Sequence, residues 1–292
     1  MRAPVDTIAA PLFPTKMSWV NVPGGKGAQA SIIQRGRPML VEFWDFCRPN
    51  SLRTLPYVKG WHERYADDGL RVIGVHCPGF DPSREEQAVR DAVARLGIEY
   101  PVLIDGELSV WQEYENLGWP ARYLFDGHAR LFEYHYGEGA YEETELAIQE
   151  LLGVEREPLR PLRPEDAPGA LLAPQTEDRP GAYSGPYEAG GVWAVLDGTG
   201  TVRVSGGPAG RDASPGAGGP SAATGPGDRV TELDVAHPGA YRLFEHPCHT
   251  AGVLGLEIGA GVRCHATCFT PGVAIATQAQ RSPRTGARER HR

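Results

Sequence analysis

Leu40–Tyr65, LVEFWDFCRPNSLRTLPYVKGWHERY, decides the fold. Its opening belongs to an apolar run, Pro38–Trp44, that carries Val, Phe and Trp, the composition of a buried strand. From Ser51 to Ala66 the period changes: Leu52, Leu55, Val58, Trp61 and Tyr65 recur at helical spacing. Working outward, Leu70–His76 (LRVIGVH) reads as a second buried strand, and Arg84–Leu96 as an amphipathic helix closed by Gly97. Leu108–Tyr114 reads as a short helix. Arg122–Phe125 and Leu131–His135 flank Asp126-Gly127, a hairpin signal, and Tyr141–Leu152 is a last helix ended by Gly153. This order predicts a parallel strand pair joined by a right-handed crossover, extended by an antiparallel hairpin and covered by helices.

The flanks differ in texture. Residues 1–35 are rich in Gly, Pro and small side chains and read as an irregular lead-in with one short strand, Ala28–Ile33. Residues 154–180 hold many Pro, Arg and acidic residues and read as a linker. Beyond it, GVWAVLDGTGTVRVSGG alternates like strands around a turn, and the pattern returns at Val230–Val235, Gly239–Glu245, Gly252–Ile258 and Arg263–Thr270. No helical period occurs there, so residues 181–276 are expected to form an all-β sandwich. The Gly/Pro/Ser/Ala run 206–228 is expected to be a disordered loop, and the basic tail 277–292 to be disordered.

A chain of 292 residues has room for two domains. Its formal net charge of -8 speaks against a nucleic-acid partner. No stretch is apolar for the roughly 18 residues a membrane span needs, and the N-terminal residues lack a secretory apolar core. The expectation is a cytoplasmic protein without a membrane partner. Its five cysteines, Cys47, Cys77, Cys248, Cys264 and Cys268, are odd in number and lack framework spacing, so they are expected as free thiols.

The opening stretch, together with LRVIGVHCPGF (70–80), LGWPARYLFD (117–126) and YHYGEGAYEETELAIQELL (134–152), resembles the DipZ branch of the TlpA-like thioredoxins. The resemblance spans residues 36–152 and implies a thioredoxin-like α/β domain, taken here as 36–153. It also implies thiol-based oxidoreductase or antioxidant activity without a cofactor, on a protein or small-molecule thiol, disulfide or peroxide. Such proteins carry a Cys-x-x-Cys at the start of the helix after the first strand, faced by a cis X-Pro pair that matches Trp119-Pro120. Aligned on Phe43-Trp44, Asn50 and Pro56, Arg48 and Ser51 stand where the family has its two cysteines, and Cys47 lies one residue earlier. Glu42 matches the family's buried carboxylate, a proton relay.

The candidate catalytic residues are therefore Cys47, Cys77, Glu42 and Arg48, with Trp44, Asn50, Ser51, Trp119 and Pro120 as candidate substrate contacts. A helix N-terminus and the charge of Arg48 would favour a Cys47 thiolate, whereas burial would oppose it. Cys77 ends the neighbouring parallel strand and could resolve a mixed disulfide, provided the two Cα atoms lie within about 7 Å. Each has a plainer reading: Cys47 as an inert spacer, Cys77 as a small apolar residue, Glu42 in a salt bridge with Arg48 or Arg53, His76 as a hydrogen-bonded strand end. If the thiols are inert, the groove between Cys47–Asn50 and Trp119–Pro120 is a binding site for a peptide or partner.

The second domain resembles the carbohydrate-binding-module-like sandwich of DipZ-type proteins, which implies a glycan partner through Trp193, Tyr183, Tyr187, Tyr241 and Phe244, unless these form core. Cys248-His249 and Cys264-His265-x-x-Cys268 suggest zinc only superficially. On a regular strand Cys264 and Cys268 share a face about 13 Å apart, and His265 points the other way, so no metal is expected.

Overall fold

The computed structural model describes residues 8–14, 16–22, 36–208 and 230–274. The first region contains strands β1 (Trp19–Val20), β2 (Met39–Trp44), β3 (Arg71–His76), β4 (Val102–Ile104), β5 (Ala121–Phe125) and β6 (Leu131–Tyr136). Its helices are α1 (Pro49–Tyr65), α2 (Glu86–Arg95), α3 (Ser109–Glu113) and α4 (Tyr141–Leu152). The strands form one sheet in the order β1-β4-β3-β2-β5-β6. β2, β3 and β4 are parallel, with β1, β5 and β6 antiparallel to their neighbours. This is a thioredoxin-like architecture. Strand β4 is absent from the sequence reading, because three residues between Pro101 and Asp105 are too few to show a period; pairing with β3 makes them a strand.

Alternation along β2 divides the interior. Leu40 and Trp44 pack with Val58 and Trp61 of α1, Val89 of α2 and Ile148 of α4. Val41 and Phe43 pack on the other face with Ile73, Val75, Leu103, Val110 of α3 and, from the lead-in, Phe13 and Trp19. The lead-in thus contributes core and strand β1.

The chain 154–180 is not a free linker. It runs as a strap along α1, where Tyr57 Oη donates to Asp166 Oδ2 at 2.7 Å and accepts from the Leu162 N–H at 2.8 Å. Arg53 pairs with Glu138 and with Glu165, both at 2.7 Å. A Cβ on Gly60 would stand 2.7 Å from Leu159 Cδ1, so the glycine admits the strap. The composition of this stretch suggests solvent exposure, and Glu157, Arg160, Glu177 and Arg179 are exposed, but Glu165 and Asp166 are spent on Arg53 and Tyr57 of α1.

The all-β second region comprises β7 (Leu172–Ala173), β8 (Arg179–Pro180), β9 (Gly185–Gly198), β10 (Gly200–Pro208), β11 (Thr231–Val235), β12 (Gly239–Ile258), β13 (Val262–Thr270) and β14 (Gly272–Val273). Hydrogen bonding is continuous through a six-stranded antiparallel sheet, β11-β10-β12-β9-β13-β8, with β14-β7 as a separate pair. The two strands read at 239–245 and 252–258 are halves of one strand, β12, whose pairing with β9 slips between Glu245 and Thr250. Residues 206–208 finish β10 rather than begin a loop. The remainder of the expected loop, the strand at Ala28–Ile33 and the basic tail lie outside the described residues.

Strand β9 is buried without interruption from Ala189 to Leu196 because both its faces are covered. Val192, Ala194 and Leu196 build the second region's own core with Val202, Leu254 and Leu256. Trp193 and Val195, joined by Ala266 and Cys268 of β13, belong instead to the core shared with Phe46 and Cys47. The sheet therefore lies directly against the turn that leads into α1, where the Ala240 N–H donates to Phe46 O at 3.3 Å.

Candidate functional site: a cleft at the start of helix α1

The turn Asp45–Arg48 connects β2 to α1, and Asp45 organises it. Its carboxylate accepts from the Cys47 N–H at 2.9 Å and the Gly79 N–H at 2.8 Å, and its carbonyl accepts from the Arg48 N–H at 3.0 Å. The Asp45 N–H donates to Ser51 Oγ at 3.2 Å. Ser51 is buried and tied to this turn, so it is a support of the site and not a substrate contact. His76 stacks on Phe46 with its Nε2 3.6 Å from Asp45 Oδ1. Trp44, also expected to touch substrate, is fully buried with its ring edge-on to His76.

The expected electrostatics of Cys47 are overturned. Its side chain is 0% exposed, and burial together with the Asp45 charge pushes its thiol far above the ordinary range. The groups acting on it in the other direction are the Ser83 hydroxyl and Arg95, not Arg48. Arg48 has extended backbone (φ -104, ψ 116), and adjacent side chains on extended chain point to opposite sides. Its guanidinium lies between Phe80 and Trp119, 4.9 and 4.4 Å from the ring centroids.

Nor are Cys47 and Cys77 brought together. Trp44 and His76 are register partners, so Cys77, one residue on, falls on the opposite side of the sheet. It sits in the core with Phe43 and Val75, while Cys47 packs in the core with Trp44. The Cys77 thiol donates to Asp105 Oδ2 at 3.5 Å, and burial and that carboxylate push it upward too. Glu42 meets neither Arg48 nor Arg53. Its polar neighbours are Arg122 and Tyr100, whose hydroxyl donates to Glu42 Oε2 at 3.4 Å, and burial raises its pKa to about 8 against the opposing charge of Arg122.

The Trp119–Pro120 peptide is cis. Trp119 Nε1 donates to Cys77 O at 2.9 Å, which fixes the ring opposite Arg48 rather than Cys47. Arg48, Pro49, Asn50 and Trp119 form one wall of a cleft of about 360 Å³. The other wall comes from the second region: Gln175–Asp178 and, on β13, Cys268 and Phe269. Pro120 lies behind Trp119, buried.

The sequence reading missed Cys268. On a regular strand it would share a face with Cys264. A bulge at His265 breaks that parity: Cys264 is opposite Leu196, Ala266 is opposite Val195, and Cys268 is opposite Trp193. Cys264 therefore packs on the second core and Cys268 turns toward the first region. Among the described residues no three His, Cys, Asp or Glu side chains are grouped to hold a metal. The aromatic residues weighed as sugar platforms are also largely spent internally. Trp193 packs between the regions, and Tyr187 is buried against Phe244 and His246, with its hydroxyl 2.9 Å from His246 Nε2.

Comparison with known proteins agrees with this architecture. DipZ of Mycobacterium bovis is 37% identical over 164 residues, which cover 54% of this chain and 24% of DipZ. Over this stretch the chain is similar to DipZ, and its first region has a thioredoxin-like fold. It spans about a quarter of the length of the DipZ relatives that it matches. The thiol-disulfide oxidoreductase YkuV of Bacillus subtilis is 24% identical over 135 residues, covering 46% of this chain and 88% of YkuV. The structure of a thiol-disulfide isomerase from Corynebacterium glutamicum superposes with a TM-score of 0.44 at 23% identity, over 50% of this chain and 98% of that one. No family model matches.

Proposed function

We propose that the chain performs thiol-based redox chemistry by exchanging disulfides one thiol at a time at the start of α1. The observation carrying this reading is the placement of Cys47 in the β2–α1 turn of a thioredoxin-like fold whose relatives include thiol-disulfide oxidoreductases. The sequence holds no Cys-x-x-Cys, so an internal dithiol cycle at this turn has no second sulfur. In a single-thiol cycle, Cys47 sulfur attacks a substrate disulfide and forms a mixed disulfide, and the departing thiolate takes up the proton. A second, external thiol then attacks the mixed disulfide, freeing Cys47 and the other half of the substrate. Peroxide would serve the same thiol through a sulfenic acid, which releases water when that external thiol condenses with it. With Cys47 covered by the β9 and β13 face, exchange requires that face to move aside.

The complete burial of Cys47 favours a second reading, a binding module whose cleft holds a partner without chemistry. The two are separated by incubating the reduced chain with a small disulfide at pH 8 and mapping mixed disulfides by peptide mass spectrometry. Exchange predicts adducts on Cys47 and turnover with an external thiol that Cys47→Ser abolishes. A native chain that forms no adduct and turns over no disulfide or peroxide refutes the exchange reading and leaves the binding one.

A further inference from the structure

We propose that the cleft between Arg48 and β13 is itself an exchange site for small disulfides that carry a carboxylate, with Cys268 as its thiol and Arg48 as its anion contact. The inference rests on the thiol-exchange reading above but assigns it a second sulfur, contributed by the other region, and a substrate class.

Three observations converge. The cleft, about 360 Å³, falls at the small end of the range for small-molecule sites. The bulge at His265 turns Cys268 into its wall, the one thiol among the cleft-lining residues. Arg48 faces it with a guanidinium that makes no ion pair or side-chain hydrogen bond among the described residues; its Nε is enclosed beside Gly79, so its terminal Nη groups are those that can meet a ligand. Aromatic rings hold this cation in place but leave its in-plane N–H groups unspent, and such a fork matches a carboxylate in two parallel bonds. The helix beginning at Pro49 adds the same sign of potential, since its N-cap makes no side-chain hydrogen bond.

The opposite wall limits the ligand. Glu177 and Asp178 are both exposed on this wall and disfavour a polyanion, so one carboxylate for each half of the disulfide is the most that Arg48 can match. Asp178 accepts from the Phe269 N–H at 2.9 Å, and Cys268, only 4% exposed, has its thiol pushed far above the ordinary range by burial and then by the Asp178 charge. In the exchange, Cys268 sulfur gives up its proton as it forms a bond to one sulfur of the substrate. The substrate S–S bond breaks, and the departing thiolate carries its electron pair away and takes up that proton. One thiol and one disulfide enter; one thiol and one mixed disulfide leave.

The test uses three aliphatic disulfides of similar size: anionic 3,3′-dithiodipropionate, neutral bis(2-hydroxyethyl) disulfide and cationic cystamine. Adduct formation on Cys268 of the full chain is timed by peptide mass spectrometry at low salt. The expected order is anionic, neutral, cationic, with about tenfold or more between the extremes, the worth of a hydrogen bond to a charged group. The spread should shrink in high salt and collapse to about twofold in Arg48→Met, while Arg48→Lys keeps the order with a smaller spread. Circular dichroism verifies that the variants are folded, and the salt series on the unmutated chain tests the charge effect without any substitution. Adducts on Cys268 without charge preference, or a preference that survives in Arg48→Met, overturn the proposal. Adducts on Cys47 alone overturn it and leave the reading of the previous section intact; adducts on neither cysteine overturn both.

Discussion

Replacing Glu42 by glutamine should make the protein more stable at neutral pH, and the gain should grow with pH. Glu42 is fully buried, its Oε1 has no hydrogen-bond partner, and burial lifts its pKa from 4.5 to about 8 despite the nearby charge of Arg122. Below pH 4.5 the carboxyl is protonated in both the folded and the unfolded chain and contributes no pH dependence. Above that, the unfolded chain releases the proton while the folded chain keeps it. The folded state then binds more protons, and unfolding free energy falls by about 1.4 kcal/mol for each pH unit until the folded carboxyl also ionises. Over the interval from 4.5 to about 8 the loss amounts to about 5 kcal/mol. Glutamine has the shape of the neutral acid and no proton to lose. Urea unfolding followed by tryptophan fluorescence, on both proteins from pH 4.5 to 8.5, should give a difference that begins at a constant offset. It should grow by about 3 kcal/mol at pH 7 and level off above pH 8. A difference that is flat across this range, or that shrinks as pH rises, would show an ionised Glu42 paired with Arg122 and refute the reasoning.

Three further outcomes are expected. Arg53→Ala strips the counter-charge from Glu138 and Glu165, which are nearly buried, and should cost about 3–5 kcal/mol in urea unfolding and expose the strap 154–166 to limited proteolysis; a strap that remains protected would show that its hold on α1 lies elsewhere. Gly190→Ala would bring a Cβ within 2.2 Å of Pro271 O, a backbone atom, and should destabilise by about 1–3 kcal/mol, whereas Gly106→Ala, with nothing within 4 Å, should not; equal melting temperatures for the two variants would contradict this packing. In native iodoacetamide labelling at pH 8, half-buried Cys248 should react first, Cys264 more slowly because burial raises its thiol to about 11, and Cys77 only on unfolding; early labelling of Cys77 in the folded chain would contradict its place in the core.

The sequence by itself determined the order of elements in the first region. Pro38–Trp44 and Leu70–His76 are apolar enough to be buried strands in any context, and Leu52, Leu55, Val58, Trp61 and Tyr65 can share a face only on a helix. It also placed the candidate site at the junction of the first strand and helix, and it excluded a Cys-x-x-Cys there by composition alone. Local pattern could not say where those side chains would point relative to distant chain. That Arg48 turns to Trp119 while Cys47 is buried follows from the extended backbone at Arg48 and from a covering sheet more than a hundred residues away. That Cys47 and Cys77 lie in different cores follows from strand register, and Val102–Ile104 becomes a strand only because β3 offers an edge. The bulge at His265 matters most: a period of two is a local rule, and one inserted residue reverses every side chain beyond it. It moves Cys268 from the face of Cys264 to the cleft opposite Arg48, a position set by the pairing of β13 with β9 and by nothing in β13 alone.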